Sequence, residues 1–201
     1  MRTSGRALRW VGMECTLEAV KADITRLLRT AASNRNSPMH TPVVATADAD
    51  ARIMVLREFD PAGWTLRFHT DARAPKAALI ENEAPVGVLF YDKDEKVQLR
   101  CRGTARVENS TRLAQEAWER SDAYARRCYL GAPPGEERAE PSSGLPEWVE
   151  GERPTEDQLA PARENFAVLM VTLQSVDWYH LSSEGHRRAV FEHGEGRWLT
   201  P

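Results

Sequence analysis

Four short stretches of this 201-residue chain carry side chains that can do chemistry together. In Arg52-Ile53-Met54-Val55-Leu56-Arg57, strand alternation puts Arg52, Met54 and Leu56 on one face and Ile53, Val55 and Arg57 on the other. An arginine near each end offers two cations that can flank an anion. Arginine suits phosphate because its fork donates two parallel hydrogen bonds. Phe68-His69-Thr70-Asp71, followed by Arg73 and Lys76, reads as a strand giving way to a helix start. There a hydroxyl, two cations and the N–H groups of a first turn make up the donors of a phosphate site. Gln98, between Val97 and Leu99, has a side-chain amide that donates and accepts at once. That suits the edge of a heterocycle with alternating carbonyls and ring nitrogens. Late in the chain, Trp178, Gly185-His186-Arg187-Arg188, Phe191 and Trp198 form an aromatic and basic series suited to closing over an anionic aromatic ligand. Taken singly, each stretch also has a plainer reading: solvated strand ends, ordinary helix capping, a half-exposed amide, a charged edge strand.

The elements that must position these residues are mostly strands. Thr16 caps an expected helix whose Leu17, Val20, Ile24, Leu27 and Leu28 make one apolar face. Strands are expected over Thr41–Thr46 and Arg52–Phe59, paired as a hairpin, and over Trp64–Thr70. Arg73–Asn82 reads as a helix, then Val86–Tyr91 and Lys96–Val107 as strands. The last of these alternates, with Gln98, Arg100 and Arg102 on one side and Leu99, Cys101 and Gly103 on the other. Ser110 is expected to cap one long helix reaching about Cys128, which Gly131 and Pro133-Pro134-Gly135 stop. A long loop rich in Pro, Gly, Ser and Glu runs to about Gly151, followed by a short helix around Glu156–Glu164. Strands over Phe166–Leu181, His186–His193 and Arg197–Leu199 end the chain. No βαβ unit repeats, so a doubly wound sheet is excluded. The expected fold is mainly β (α+β), an antiparallel split β-barrel with flanking helices.

The length suits one domain, taken as residues 16–201 behind a short tail, residues 1–15, that carries Arg2, Arg6 and Arg9. Met13 is a second possible start, since the first helix follows it. A net charge of -3 with interspersed signs gives no reason to expect a nucleic-acid partner. No apolar run has membrane-spanning length and no signal-peptide core is present, so a cytoplasmic location and no membrane partner are expected. Cys15, Cys101 and Cys128 are odd in number and far apart, which fits reduced thiols and offers no zinc spacing; no metal is expected.

In this order and spacing, the chain resembles the pyridoxamine 5'-phosphate oxidase family. The residues that carry the resemblance are Arg52-x-x-Val55-Leu56-Arg57, Phe68-His69-Thr70-Asp71, Lys76-Ala77, Leu89-Phe90-Tyr91 and Gln98-Leu99-Arg100-x-x-Gly103, with the tail from Trp178 through His186-Arg187-Arg188 to Pro201. The resemblance implies FMN bound at a homodimer interface and a redox reaction on a small-molecule substrate. It implies that Arg52, Val55, Leu56 and Arg57 line the flavin and its phosphate side, that His69 and Thr70 lie beside the ribityl chain and ring, and that Lys76 pairs with the phosphate, Arg73 supporting it. Gln98, Trp178 and an arginine of the His186 segment, Arg188, are implied to come from the partner subunit. A clamp for a substrate phosphate would have to come from Arg126, Arg127, Tyr129 or Ser143, and the group that holds the ring from His186, Arg187 or Arg188. The family's Arg-Lys pair is Pro75-Lys76 here, its Arg-x-His motif appears as His186-Arg187-Arg188, and prolines interrupt the substrate-phosphate segment. These departures bear on turnover of pyridoxamine 5'-phosphate more than on flavin binding. A flavin-binding module without turnover, or a relative holding F420 or heme on the same barrel, are the rival classes.

Overall fold

The computed structural model describes residues 15–80 and 83–201. The tail up to residue 14, the alternative start at Met13 and the expected helix end at Asn82 lie outside the described residues. The chain divides into two compact units. The first holds the described residues up to Arg67 with Pro85–Thr104 and Val171–Pro201; the second holds Phe68–Ala84 and Ala105–Met170.

In the first unit, helix α1 spans Leu17–Ser33. The Thr16 side chain accepts from the Ala19 amide at 3.2 Å, which satisfies one of the N–H groups a helix start leaves over. Val20, Ile24, Leu27, Leu28 and Ala31 are buried, one stripe at helical spacing, and α1 lies against the third strand.

Among the described residues, nine strands make one sheet: β1 (Val43–Thr46), β2 (Ala51–Ile53), β3 (Leu56–Asp60), β4 (Thr65–Asp71), β5 (Ala84–Asp92), β6 (Val97–Glu108), β7 (Phe166–His180), β8 (Arg187–Glu192) and β9 (Glu195–Leu199). Neighbours run β2-β1-β5-β6-β7-β4-β3, with β8 paired to β7 and β9 to β8. The β1–β2, β1–β5, β7–β8 and β8–β9 pairs are antiparallel. The two ends of that path, β2 and β3, are joined by Met54 and Val55 alone. Three Cα steps span at most about 11 Å. A flat sheet would hold its first and seventh strands about 29 Å apart. The strands therefore curl until the ends meet, and the fold is a mostly antiparallel barrel. This also corrects the expected single strand Arg52–Phe59: its first part pairs with β1, with Arg52 opposite Val44, and its second part pairs with β4.

In the second unit the expected long helix from Ser110 is three pieces. Helix α3 (Arg112–Glu119) is capped by Thr111, not Ser110, and α4 (Ala123–Arg126) is followed by a 3-10 turn, Arg127–Leu130. The break has a local cause. The Ser121 hydroxyl donates to Ala117 O at 2.7 Å, and the Asp122 carboxylate accepts from the Tyr124 amide at 2.9 Å, which starts a new helix. Helix α2 spans Pro75–Leu79; it starts later than Arg73 because the Asp71 carboxylate holds the Arg73 amide in a turn at 2.8 Å. Helix α5 (Glu156–Leu159) starts with a Thr155–Gln158 capping box and continues as 3-10 turns to Asn165. Trp118, Ala117, Leu159, Ala162, Phe166 and Val168 form this unit's core. The segment after Gly131 is not shapeless: Ala132 N donates to Gly144 O at 2.9 Å, and a 3-10 turn at Glu147–Val149 buries Val149.

Candidate functional site

The outward side chains of six strands in the first unit enclose a recess of about 490 Å³. Its walls are largely apolar: Val43 and Ala45 from β1, Leu89 from β5, Val190 from β8 and Leu199 from β9. Gly87 stands among them, and a Cβ built there meets nothing within 4 Å. Arg100 and Arg102 enter from β6, Asp177 from β7, Arg188 and Glu192 from β8, and Arg197 from β9.

One carboxylate organises two of these arginines. Asp177 accepts from Arg188 Nε at 3.1 Å and Nη2 at 2.8 Å, and from Arg100 Nη2 at 2.5 Å. Burial pushes the Asp177 carboxyl up, but the hydrogen bonds from Arg188 and Arg100 outweigh it and hold its pKa below the ordinary carboxylate value. The same bond raises the pKa of Arg188. Arg197 pairs with Glu192 at 2.8 Å. Arg102 makes no hydrogen bond or ion pair to another described residue. Cys101 is buried, which pushes its thiol up and leaves it unreactive.

The structure distributes the residues expected at a flavin site as follows. Arg52 is half-buried on β2; it forms an ion pair with Asp50 and donates to Thr46 Oγ1 at 3.0 Å. Val55 lies in the two-residue link, Leu56 is buried, and Arg57 is exposed on β3. Gln98 lies on the Arg100 side of β6, half-exposed. Thr70, His69, Arg73 and Lys76 belong to the second unit. There Thr70 is buried, and the His69 ring meets Phe166 edge-on at 4.9 Å. Arg73 donates to both oxygens of Asp71, at 2.9 and 2.6 Å, bonds that raise its pKa. Lys76 is half-buried in α2.

Trp178 is fully buried in its own unit, stacked on His180 at 5.9 Å. His186 and Arg187 are exposed and line a second, shallower recess of about 310 Å³ with Cys15 and Trp198. Tyr129 packs edge-on against Phe166 at 5.1 Å in the second unit's core, and exposed Ser143 accepts from the Leu145 amide at 3.2 Å.

Two of the expected cations stand at a spacing from an aspartate that marks them as paired. Asp50 and Arg52 are two apart, a spacing that puts both side chains on one face of an extended segment, and Asp71 stands two residues before Arg73, the spacing of an Asx turn. Asp177 and Gly87 had no such signal, since their roles depend on which strands become neighbours.

His180 carries a pH prediction. Burial pushes its imidazole below its ordinary pKa, helped by Arg187, Lys96 and His186 and opposed by Asp23. Below about 6.5 the unfolded chain takes up a proton that the folded chain resists, so stability is full above that pH and falls as the pH drops below it. Thermal midpoints measured between about pH 7.5 and about pH 5.5 (about one unit either side of the ordinary value) should fall less in His180→Gln than in the parent. An unchanged slope would remove His180 as the cause.

Fold and recess together define a split-barrel protein with a cationic pocket on its outer sheet face. Residues 21–109 match the family model described as "Pyridoxamine 5'-phosphate oxidase, FMN-binding domain". A pyridoxine/pyridoxamine 5'-phosphate oxidase of Caulobacter vibrioides is 26% identical over 171 residues, covering 78% of this chain and 72% of that one. Among solved structures, a pyridoxamine 5'-phosphate oxidase-related, FMN binding protein from Nostoc punctiforme superposes with a TM-score of 0.66 at 20% identity, covering 90% of this chain and 96% of that one. PhzG from Burkholderia lata, solved with tetrahydrophenazine-1-carboxylic acid, gives 0.67 at 17% identity, covering 90% and 91%. The chain is similar to pyridoxamine 5'-phosphate oxidase-like proteins over the matched residues, and its fold is the split barrel. No helix among the described residues is long and apolar enough to cross a membrane.

Proposed function

We propose that this protein binds FMN as a homodimer and acts as an oxidoreductase on a small-molecule substrate. The observation that carries the reading is the FMN-binding domain match over residues 21–109, a span that includes Arg52, Arg57, Thr70, Lys76 and Gln98. The chemistry of the donor set fits the cofactor. Arg57 and Lys76 are among the cations that the family resemblance sets on the phosphate side. The Thr70 hydroxyl would add a donor, and the Gln98 amide would meet the ring edge. Bound flavin supplies two-electron chemistry by accepting hydride. The protein's own part is to orient the substrate, exclude water and hold the phosphate. Ile53 on β2 is 70% exposed and Tyr91 on β5 47%, large apolar side chains of the kind a second copy covers.

Titration with FMN tests the reading. Flavin fluorescence should quench and a dimeric mass should persist at micromolar protein. A colourless, non-quenching protein would refute FMN binding, and a monomeric mass with flavin bound would refute the dimer. Lys76→Ala should weaken FMN by about 1.5–3 kcal/mol, the worth of a hydrogen bond to a charged group. Riboflavin, which has no phosphate, should be affected far less. Equal losses for both ligands would reassign Lys76 to the fold.

A further inference from the structure

We infer that His180 is a proton-operated latch on the turn that joins β7 to β8: the neutral ring holds residues 181–186 against the barrel, and a proton taken up by the ring releases them. The inference does not rest on the flavin reading.

The setting of the ring is the first ground. His180 is the last residue of β7, buried, with its ring 5.9 Å from that of Trp178 and nearly parallel to it. Its Nδ1 is buried and makes no hydrogen bond to another described residue. A neutral imidazole tolerates this, since one of its nitrogens carries no proton. An imidazolium does not: both nitrogens are then donors, and a buried donor without an acceptor costs folding free energy.

Charge is the second. Among the described residues, the groups whose fields act on the ring are Asp23 from α1, Lys96 from the turn before β6, and His186 and Arg187 from the end of the latched turn and the start of β8. Arg187 stands opposite His180 in the β7–β8 register, so the two side chains share a face. Lys96 and Arg187 are cations, and His186 becomes one as the pH falls. Asp23, the one anion, is already engaged. It is buried and accepts from Arg26 Nε at 3.1 Å and Nη2 at 2.8 Å, and the same Nη2 lies 3.5 Å from a Glu95 oxygen. A proton on His180 therefore adds a buried positive charge where repulsion exceeds attraction, in keeping with the lowered pKa of the ring.

The turn itself is the third. Leu181 N donates to Lys96 O at 2.8 Å and ties the turn to the barrel. Inside the turn, Glu184 N donates to Ser182 Oγ at 3.1 Å and Gly185 N to Ser182 O at 3.3 Å. Residues 183–187 are exposed, and a Cβ built at Gly185 meets nothing within 4 Å. Segments with so little buried contact open at a far lower free energy than the core. His186 and Arg187 line the shallow recess of about 310 Å³, so release of the turn moves one wall of that recess and makes its shape depend on pH.

Amide hydrogen exchange of the full chain, followed by NMR in low urea, tests the latch. The Leu173 amide, which donates to Trp64 O at 2.8 Å, is the reference within β7. Leu181 should exchange faster than Leu173 and with little dependence on urea, the mark of a local opening that exposes little surface. Corrected for the intrinsic rate, that opening should become about five- to tenfold more populated between about pH 7.5 and about pH 5.5, because one unit below the pKa of an exposed histidine is worth about a factor of ten. His180→Gln should remove this pH dependence, and His186→Asn should keep it. Exchange of Leu181 that follows Leu173 in urea would overturn the inference, as would the same pH dependence in His180→Gln. The parent supplies a check that needs no variant: its His180 ring nitrogens should report a neutral imidazole at about pH 6.5, where an exposed histidine is half protonated. An imidazolium there would also overturn it.

Discussion

The FMN-loaded protein, in air, should form pyridoxal 5'-phosphate from pyridoxamine 5'-phosphate at well under about one turnover per second, the low end of usual enzyme rates. The groups that would clamp that substrate's phosphate have other partners. Both Nη atoms of Arg126 donate to Glu156, at 2.9 and 2.5 Å, and its guanidinium lies 4.9 Å from the Trp118 ring centre. Arg127 lies over the Tyr124 ring at 3.5 Å and donates to Glu152 O at 3.3 Å. The Tyr129 ring is packed with Trp118 and Phe166, and Ser143 holds its own turn. On the ring side, His186 rests against Tyr179 at 5.7 Å and Arg188 is held by Asp177. Arg126 would have to give up its ion pair with Glu156, and Tyr129 its place in the core, before either could hold substrate. Misplacement by about 1 Å costs on the order of a hundredfold in rate. Steady-state product formation measures this directly; about one turnover per second or more would show that the clamps rearrange at little cost.

Gly103→Ala should be the most damaging single methyl in the barrel. A Cβ at that position would sit 2.3 Å from Thr172 O, 3.0 Å from Thr172 C and 3.2 Å from Leu173 Cα. All three are backbone atoms of β7, so no side chain can swing aside. The strands must separate, and overpacking of this kind costs about 3 kcal/mol. At about 2–4 °C per kcal/mol for a chain of this size, the thermal midpoint should fall by roughly 10 °C. Gly87→Ala, on the neighbouring strand but facing open space, should change stability by no more than about 0.5 kcal/mol. Denaturant unfolding of the two variants checks the contrast. Equal losses would mean that glycine's backbone freedom matters and the close approach of β6 to β7 does not.

What the sequence determined by itself is what repeats over short distances. The stripe Val20, Ile24, Leu27, Leu28 defines the buried face of α1 because helical spacing is a local property. Gln98, Arg100 and Arg102 share the outer side of β6 because a strand alternates wherever it is placed. The ordered series from Arg52 to Gly103 was legible for the same reason, and it carries the resemblance to the pyridoxamine 5'-phosphate oxidase family. Two pairings that change the chemistry, Asp50 with Arg52 and Asp71 with Arg73, were also within reach of local spacing.

Only the tertiary structure decided the rest. The strand expected from Arg52 to Phe59 breaks at Met54-Val55 because barrel closure, not propensity, assigns its halves to different neighbours. Trp178 reads as a ligand-facing aromatic until the register with Ala189 and its burial turn it inward, while Asp177, one residue before, turns outward to Arg188. A one-residue difference along a strand is a change of face, and which face becomes the core is settled by the partners the strand finds. The recess lies at that level too: its arginines come from three strands and the carboxylate that orients two of them from a fourth, so closure of the sheet, and no run of the sequence, brings them together.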